Sequence, residues 1–253
     1  MRSDDITFVV LAKDEAANIA GCLGSTLPGS HKLLYDAESK DATREIAREC
    51  GACVTTAPWQ GFVAARTAAA ALVQTPWTFM LDADERLTQQ LADELVRLEP
   101  PPGVDAFSIA RKNIFCGRWI RGAGWWPDRL ARLFRTGRGV VRPRAGMGSA
   151  VLHEQWIVEA ATLELNAPLE HRSYLSTAAY REKFARYTDV EASGRRASFI
   201  RAASSWIPAA ARFAWLYFAR GGIFDGWQGL YVSAGSAIYP AVVETKAWRR
   251  MRR

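Results

Sequence analysis

Trp77-Thr78-Phe79-Met80-Leu81-Asp82-Ala83-Asp84-Glu85-Arg86 begins as a strand and ends as a cluster of acids. Five β-favouring, mostly apolar residues stop abruptly at Asp82, Asp84 and Glu85. A short apolar run of this kind reads as a buried strand in a parallel sheet. Open α/β sheets take ligands beyond the carboxyl ends of their strands, so the two aspartates stand where a site is expected. Carboxylate oxygens are the ligands that Mg²⁺ or Mn²⁺ prefers. Such a cation can clamp a diphosphate and neutralise charge on it as it leaves. The alternative is that Asp82 and Asp84 cap a turn or the next helix. An EF-hand is excluded, because Arg86 and Leu87 stand where a glycine and further oxygen ligands are needed.

Upstream, strands and helices alternate. Ile6 to Leu11 is a first strand. Ala16, Ile19, Ala20 and Leu23 then share a helix face, with Asp14 as the expected N-cap. Lys32 to Tyr35 is a second strand ending at Asp36. A helix with Ile46, Ala47 and Cys50 inward is stopped by Gly51. Ala52 to Thr56 is a third strand, Phe62 to Leu72 an Ala-rich helix, and Thr88 to Leu98 another helix ended by Pro100-Pro101-Pro102. This alternation predicts βαβ units and a parallel sheet with right-handed crossovers. After the prolines, Ala106 to Ala110 reads as a strand, followed by a Gly-, Trp- and Arg-rich passage over Gly117–Asp128.

At 253 residues the chain is long enough for one large α/β domain with an appendage. Hydrophobic residues make up 49% and charged residues 23%, which suits a packed core and argues against wholesale disorder. Cys50-Gly51-Ala52-Cys53 spans a helix end and a strand start, with no second pair or nearby histidine, so the four cysteines read as ordinary buried thiols of a reducing cytosol. Arg2, Asp4 and Asp5, with only Phe8 to Ala12 apolar behind them, do not read as a secretory leader. The net charge of +7 is uneven: residues 1–171 hold 19 Lys and Arg against 21 Asp and Glu, whereas residues 172–253 hold 14 against 5. That asymmetry predicts an anionic partner for the C-terminal part.

Three strand ends carry acid: Asp14-Glu15, Asp36 with Asp41, and Asp82-Asp84. Carboxylates gathered on one edge repel unless a cation or hydrogen-bond donors share the space. The succession Lys13-Asp14-Glu15, then Asp36, Ser39, Asp41 and Thr43 as D-x-x-S-x-D-x-T, then Arg66, then Asp82-Ala83-Asp84 resembles a family 2 glycosyltransferase of the GT-A fold. Further likeness lies in Trp59-x-Gly61-Phe62, Arg132-Leu133-Phe134-Arg135, Val151-Leu152-His153-Glu154 and His171-x-Ser173-Tyr174. With these the chain is similar to the lipopolysaccharide-core β-1,4-glucosyltransferases over nearly its full length.

The resemblance implies a Rossmann-like, mostly parallel GT-A sheet flanked by helices over residues 1–175, with a nucleotide-sugar half (1–99) and an acceptor half (103–175). A basic, aromatic-rich helical appendage would follow over 176–253. It implies a UDP-sugar pocket lined by Ala12, Asp14, Glu15 and Asp36, the last reaching the uracil. Arg66 would approach the diphosphate, Asp82 the ribose or the metal, and Asp84 with His171 would hold Mg²⁺ or Mn²⁺. Glu154 would be the catalytic base in an inverting displacement, with Asp128 as the alternative. The family's Asn is replaced at Asp14 and Thr67, and its acidic x-E-D motif reads His153-Glu154-Gln155. Trp125 and Trp126 either stack on an acceptor sugar or belong to the core or to exposed apolar surface. Arg132 and Arg135 either grip a phosphorylated acceptor, for which the guanidinium fork is well shaped, or pair with surface acids. His153 either meets substrate or is a hydrogen-bonded strand histidine, and His171 either holds the metal or caps the strand before the helical region.

Residues 199–243 are rich in Trp, Phe and Tyr, but Trp206–Ala219 is too short and too broken by Pro208 and Arg212 to span a bilayer. An interfacial amphipathic helix fits better, with Lys246 to Arg253 drawn to anionic head groups; a solvated basic helix is the alternative. No nucleic-acid recognition motif accompanies the charge. The expected place of work is the cytoplasmic face of the inner membrane, on a lipid-linked or lipopolysaccharide-core acceptor. Two rivals remain. A haloacid-dehalogenase-type phosphatase wants Thr or Val where Arg86 stands, and a catalytically inactive membrane-surface scaffold of the same fold would bind liposomes without binding nucleotide.

Overall fold

In the computed structural model, which describes residues 1–143, 154–158 and 161–252, the expected alternation is present. β1 (Ile6–Ala12), α1 (Ala16–Gly24), β2 (His31–Asp36), α2 (Thr43–Glu49), β3 (Cys53–Thr56), α3 (Phe62–Ala71) and β4 (Trp77–Asp82) follow one another. β1 pairs in parallel with β2 on one side and β4 on the other, and β3 lies beyond β2. A central strand of a sheet covered on both faces is apolar throughout, and Ile6, Phe8, Val9 and Val10 have no exposed surface. Phe8 stands opposite Phe79 in the β1–β4 register, with ring centroids 4.9 Å apart. Each such fully buried side chain contributes about 1.5–3 kcal/mol.

The chain continues through β5 (Glu85–Leu87), α4 (Gln89–Arg97), β6 (Val104–Phe115), β7 (Arg118–Trp119), β8 (Asp128–Arg135), β9 (Gly139–Pro143), β10 (Glu154–Val158), β11 (Ala161–Glu164) and β12 (Leu169–Tyr174). The helices α5 (Thr177–Ser193), α6 (Phe199–Ser204), α7 (Ile207–Ala214) and α8 (Gly226–Met251) complete it. The main sheet runs β3-β2-β1-β4-β8-β6-β12-β5, and β9 and β10 form a separate antiparallel pair. The Arg132-Leu133-Phe134-Arg135 motif lies on β8, antiparallel to β4.

Two compact units result. Among the described residues, one comprises 1–111, 129–143, 154–158 and 161–171; the other comprises 112–128 and 172–252. The Gly- and Trp-rich passage therefore belongs with the C-terminal helices, whereas the sequence grouped it with the acceptor half. The second unit is built around Phe115, whose ring contacts Tyr174, Tyr180, Trp227, Tyr231 and Trp125 at centroid distances of 5.6–6.3 Å.

Several local expectations change. Asp14 is not the N-cap of α1; Glu15 occupies that position without a side-chain cap. Residues 199–243 form no single interfacial helix: α6 and α7 are short, a π-helical turn covers Trp215–Ala219, and α8 begins at Gly226. Pro208 falls in the first turn of α7, where its missing N–H has no helical partner to lose. Cys22 is buried as expected, but Cys53 is exposed. Among the described residues no helix is long and apolar enough to cross a membrane.

Candidate active site

Parallel pairing brings the acidic strand ends onto one edge: Ala12 is opposite Asp36, and Leu11 is opposite Asp82. The loop after β1 is held from the segment after β2. Asp14 N–H donates to Ser39 Oγ at 2.9 Å, Glu15 N–H to Thr43 Oγ1 at 2.8 Å, and Ala16 N–H to Asp41 Oδ2 at 3.0 Å. In return Lys40 N–H donates to Asp14 Oδ1 at 2.7 Å. The Thr43 hydroxyl donates to Asp41 Oδ1, and these bonds hold the Asp41 carboxyl below its ordinary range. Three members of the D-x-x-S-x-D-x-T motif thus brace the loop. Asp14 itself sits at φ 56°, a left-handed backbone that Asp tolerates better than most residues.

Asp36, the fourth member, is completely buried at the end of β2. Its Oδ2 accepts from Ser39 N–H at 3.1 Å, with Arg44 Nε 3.8 Å away. Its Oδ1 has no hydrogen-bond partner among the described residues. A buried acceptor left open is rare in folded proteins, and here it lies where a ligand donor is expected.

Asp82 is gripped from two sides. Arg66 Nη2 donates to Oδ1 at 2.7 Å and Arg132 Nη2 to Oδ2 at 2.6 Å. Burial alone would push this carboxyl up, but the Arg132 and Arg66 charges outweigh it and hold it well below the usual carboxylate range. Arg132 also donates to Glu85 Oε1, and Arg111 Nη1 lies 3.4 Å from the same oxygen. Glu85 has no exposed surface, and its Oε2 accepts from Asp82 N–H at 2.9 Å. Burial would lower the Arg132 pKa, yet Asp82 and Glu85 raise it overall. Arg132 is 2% exposed and committed to acids, which corrects its reading as an accessible acceptor contact. Neither Glu85 nor Arg111 received a role from the sequence; Glu85 directly follows Asp84, but its arginine partners lie 26 and 47 positions away and no local pattern links them.

Asp84 and His171 meet: His171 Nε2 is 3.3 Å from Asp84 Oδ2. The antiparallel β5–β12 pairing, which places His171 opposite Glu85, delivers the histidine there. Among the described residues no cluster of three His, Cys, Asp or Glu surrounds a common point.

Other candidates are scattered. Trp125 is half-buried against Phe115 and Tyr174, and its carbonyl accepts from Asn113, so it is part of the second unit's aromatic core. Trp126 packs edge-on against Trp119 at 5.1 Å. Arg135 pairs with Asp105 at 2.9 Å and lies over Trp77. Asp128 opens β8 and Glu154 opens β10. The Glu154 side chain and the whole of His153 lie outside the described residues.

The sequence profile described as Glycosyl transferase family 2 matches residues 7–153. This chain belongs to that family. A Rickettsia felis protein named uncharacterized glycosyltransferase is 36% identical over 93 residues, 36% of this chain and 33% of that protein. The lipopolysaccharide core biosynthesis glycosyltransferase LpsC of Rhizobium meliloti is 25% identical over 145 residues, 53% of this chain and 52% of LpsC. The match thus spans about a third to about half the length of these relatives. Among solved structures, mannosyl-3-phosphoglycerate synthase from Rubrobacter xylanophilus aligns with a TM-score of 0.36 at 21% identity, over 43% of this chain and 40% of that one. S. aureus TarS aligns over 87% of this chain and 45% of its own, with a TM-score of 0.44 at 15% identity. The family 2 chain has the mixed α/β, GT-A-type architecture read from its sequence, with a helical C-terminal part.

Proposed function

We propose that the chain is an inverting, metal-dependent glycosyltransferase that moves a hexose, glucose from UDP-glucose in the simplest reading, onto a hydroxyl of a lipopolysaccharide-core or lipid-linked acceptor. The observation that carries this is the gathering of Asp36, Asp82 and Asp84 on one sheet edge of a family 2 chain. Asp36, with an open buried oxygen, would accept from the nucleotide base, and the braced loop around Asp14 and Glu15 would form the pocket wall with Ala12. Asp84 Oδ2 and His171 Nε2, already side by side, are a carboxylate and an imidazole that suit a divalent cation completed by diphosphate and water. When bound, that cation supplies charge stabilisation to the departing diphosphate.

The residues of this chain do the rest. Both Asp82 oxygens are occupied by arginines, so its role is to hold Arg66 and Arg132 in place rather than to join Asp84 on the cation. Arg66, fixed in this way, adds positive charge where negative charge develops. Glu154, or Asp128 in its absence, would take the proton of the acceptor hydroxyl as it attacks the anomeric carbon from the opposite face. The basic C-terminal part would hold the enzyme on the cytoplasmic face of an anionic membrane, beside a lipid-borne acceptor.

Thermal-shift binding to UDP-, GDP-, dTDP- and CMP-sugars, with and without Mn²⁺, tests the donor site. A ligand at about a hundred times its Kd stabilises the folded state by about 2.7 kcal/mol. The expected result is a Mn²⁺-dependent rise with a UDP-sugar that is lost in Asp84→Ala. A wild-type protein that responds to no nucleotide sugar overturns the reading.

A further inference from the structure

Outside the candidate active site, the second unit holds a cleft of about 510 Å³ lined by Arg118, Trp119, Arg121, Arg220 and Phe224. Part of its wall is glycine backbone. A Cβ on Gly122 would lie 2.3 Å from the Gly221 carbonyl carbon, so the two segments meet only because Gly122 carries no side chain. The acid in the lining, Asp225, is buried, and its carboxylate accepts from the backbone N–H groups of Arg121 and Gly122.

The cations are left available. The Arg121 guanidinium lies over the Trp119 ring at 4.2 Å, with Lys112 Nζ 5.3 Å from the same ring. Arg220 lies over Trp215 at 5.3 Å, and Arg118 donates to the Phe224 carbonyl at 2.9 Å. None of the three arginines forms an ion pair with a carboxylate among the described residues. The Trp119 indole N–H is buried and has no acceptor among the described residues. An arginine stacked on an aromatic face keeps its N–H edges free for an anion, and its planar fork matches phosphate. Around this cluster the chain exposes Trp215, Phe218, Ile223, Phe224 and Trp227, with Phe224 80% exposed. Large exposed apolar side chains in one stretch mark a surface that is covered by something apolar.

We propose that this cleft seats the phosphate of an anionic phospholipid, with Ile223 and Phe224 entering the acyl layer. A phospholipid is the partner whose chemistry matches both halves of the feature: an anionic oxygen cluster for arginines without acids, and hydrocarbon for the exposed aromatic rim. The inference rests on the membrane reading above and narrows it from a basic tail to a defined site.

The test is co-sedimentation of the full chain with phosphatidylcholine vesicles carrying increasing phosphatidylglycerol. Wild type is compared with a cleft triple, Arg118→Gln/Arg121→Gln/Arg220→Gln, and with a tail triple, Arg249→Gln/Arg250→Gln/Arg252→Gln, which removes the same charge. The expected result is that the cleft triple weakens binding at least about tenfold more than the tail triple, because seated cations act beyond their diffuse attraction. Arg220→Gln alone, an exposed change, and Phe224→Ser are each expected to weaken binding by about threefold or more without altering the melting curve. Equal losses from the two triples, or a larger loss from the tail triple, overturn the cleft while the membrane reading stands. No binding of wild type to any vesicle overturns both, and leaves nucleotide-sugar binding to be judged separately. Competition by millimolar inorganic phosphate with no vesicle preference would make the site a free-anion site and overturn the lipid assignment.

Discussion

Glu85 and Arg132 are a buried pair at the centre of the candidate site, with 0% and 2% of their surfaces exposed. Both ions are out of water, so their attraction is offset by desolvation, and the pair as a whole adds little net stability. Breaking it is another matter, because Glu85 would be left buried with only Arg111 and a backbone N–H for company. Arg132→Met is therefore expected to cost about 3–5 kcal/mol in urea unfolding. Arg132→Met/Glu85→Gln is expected to recover part of that loss, and an unchanged urea midpoint in the single variant would refute the account. Arg66 depends on the same arrangement, since Asp82 is its counter-charge.

The β1–α1 connection shows how one element is shaped by another far along the chain. Ser39, Asp41 and Thr43 supply the side-chain acceptors that Asp14, Glu15 and Ala16 lack locally, in place of a cap within the loop itself. Losing a cap of this kind costs about 1 kcal/mol. Asp41→Ala is thus expected to destabilise modestly by calorimetry and, under the proposed function, to weaken UDP-sugar binding more than its stability cost implies, because the loop proposed as the pocket wall loosens. The sign of its pH dependence follows from the lowered Asp41 pKa. A carboxyl depressed in the folded state stabilises fully above its unfolded value of about 3.9, and that contribution is lost as pH falls through the lower folded value. The melting-temperature gap between wild type and Asp41→Ala should hold constant from neutral pH to about pH 5 and narrow below about pH 4. A gap that persists unchanged into strong acid would contradict the ionised cap.

At the scale of the whole molecule, charge is segregated along the chain. Residues 172–253 carry 14 Lys and Arg against 5 Asp and Glu, and the same part exposes Phe199, Ile200, Trp206, Ile207 and the aromatic rim of the cleft. Electrostatic attraction is screened over a Debye length that shrinks to about 3 Å at 1 M salt, whereas apolar insertion is not. Binding to phosphatidylglycerol vesicles is expected to fall steeply with salt but to retain a salt-resistant remainder. Complete elution in flotation assays at high salt would leave the exposed aromatics without a membrane role.

The alternation of strands and helices, the acidic ends of β1, β2 and β4, and membership of the glycosyltransferase family were all legible in the amino-acid order. Each rests on a local signal: apolar period, helix stops, and acids placed just past a buried run. The sequence could not say which acid meets which base. Asp82 and Arg132 are fifty positions apart, and only the antiparallel seating of β8 on β4 puts a motif arginine against an acid at the end of β4. For the same reason Trp125 could be read as a sugar platform or as core, and packing around Phe115 chose the core. Residues 112–128 joined the C-terminal helices through Gly122, Gly221 and Asp225, contacts spanning a hundred residues that no local period encodes. A chain's order determines which faces must be buried; long-range packing decides what each polar group finds there.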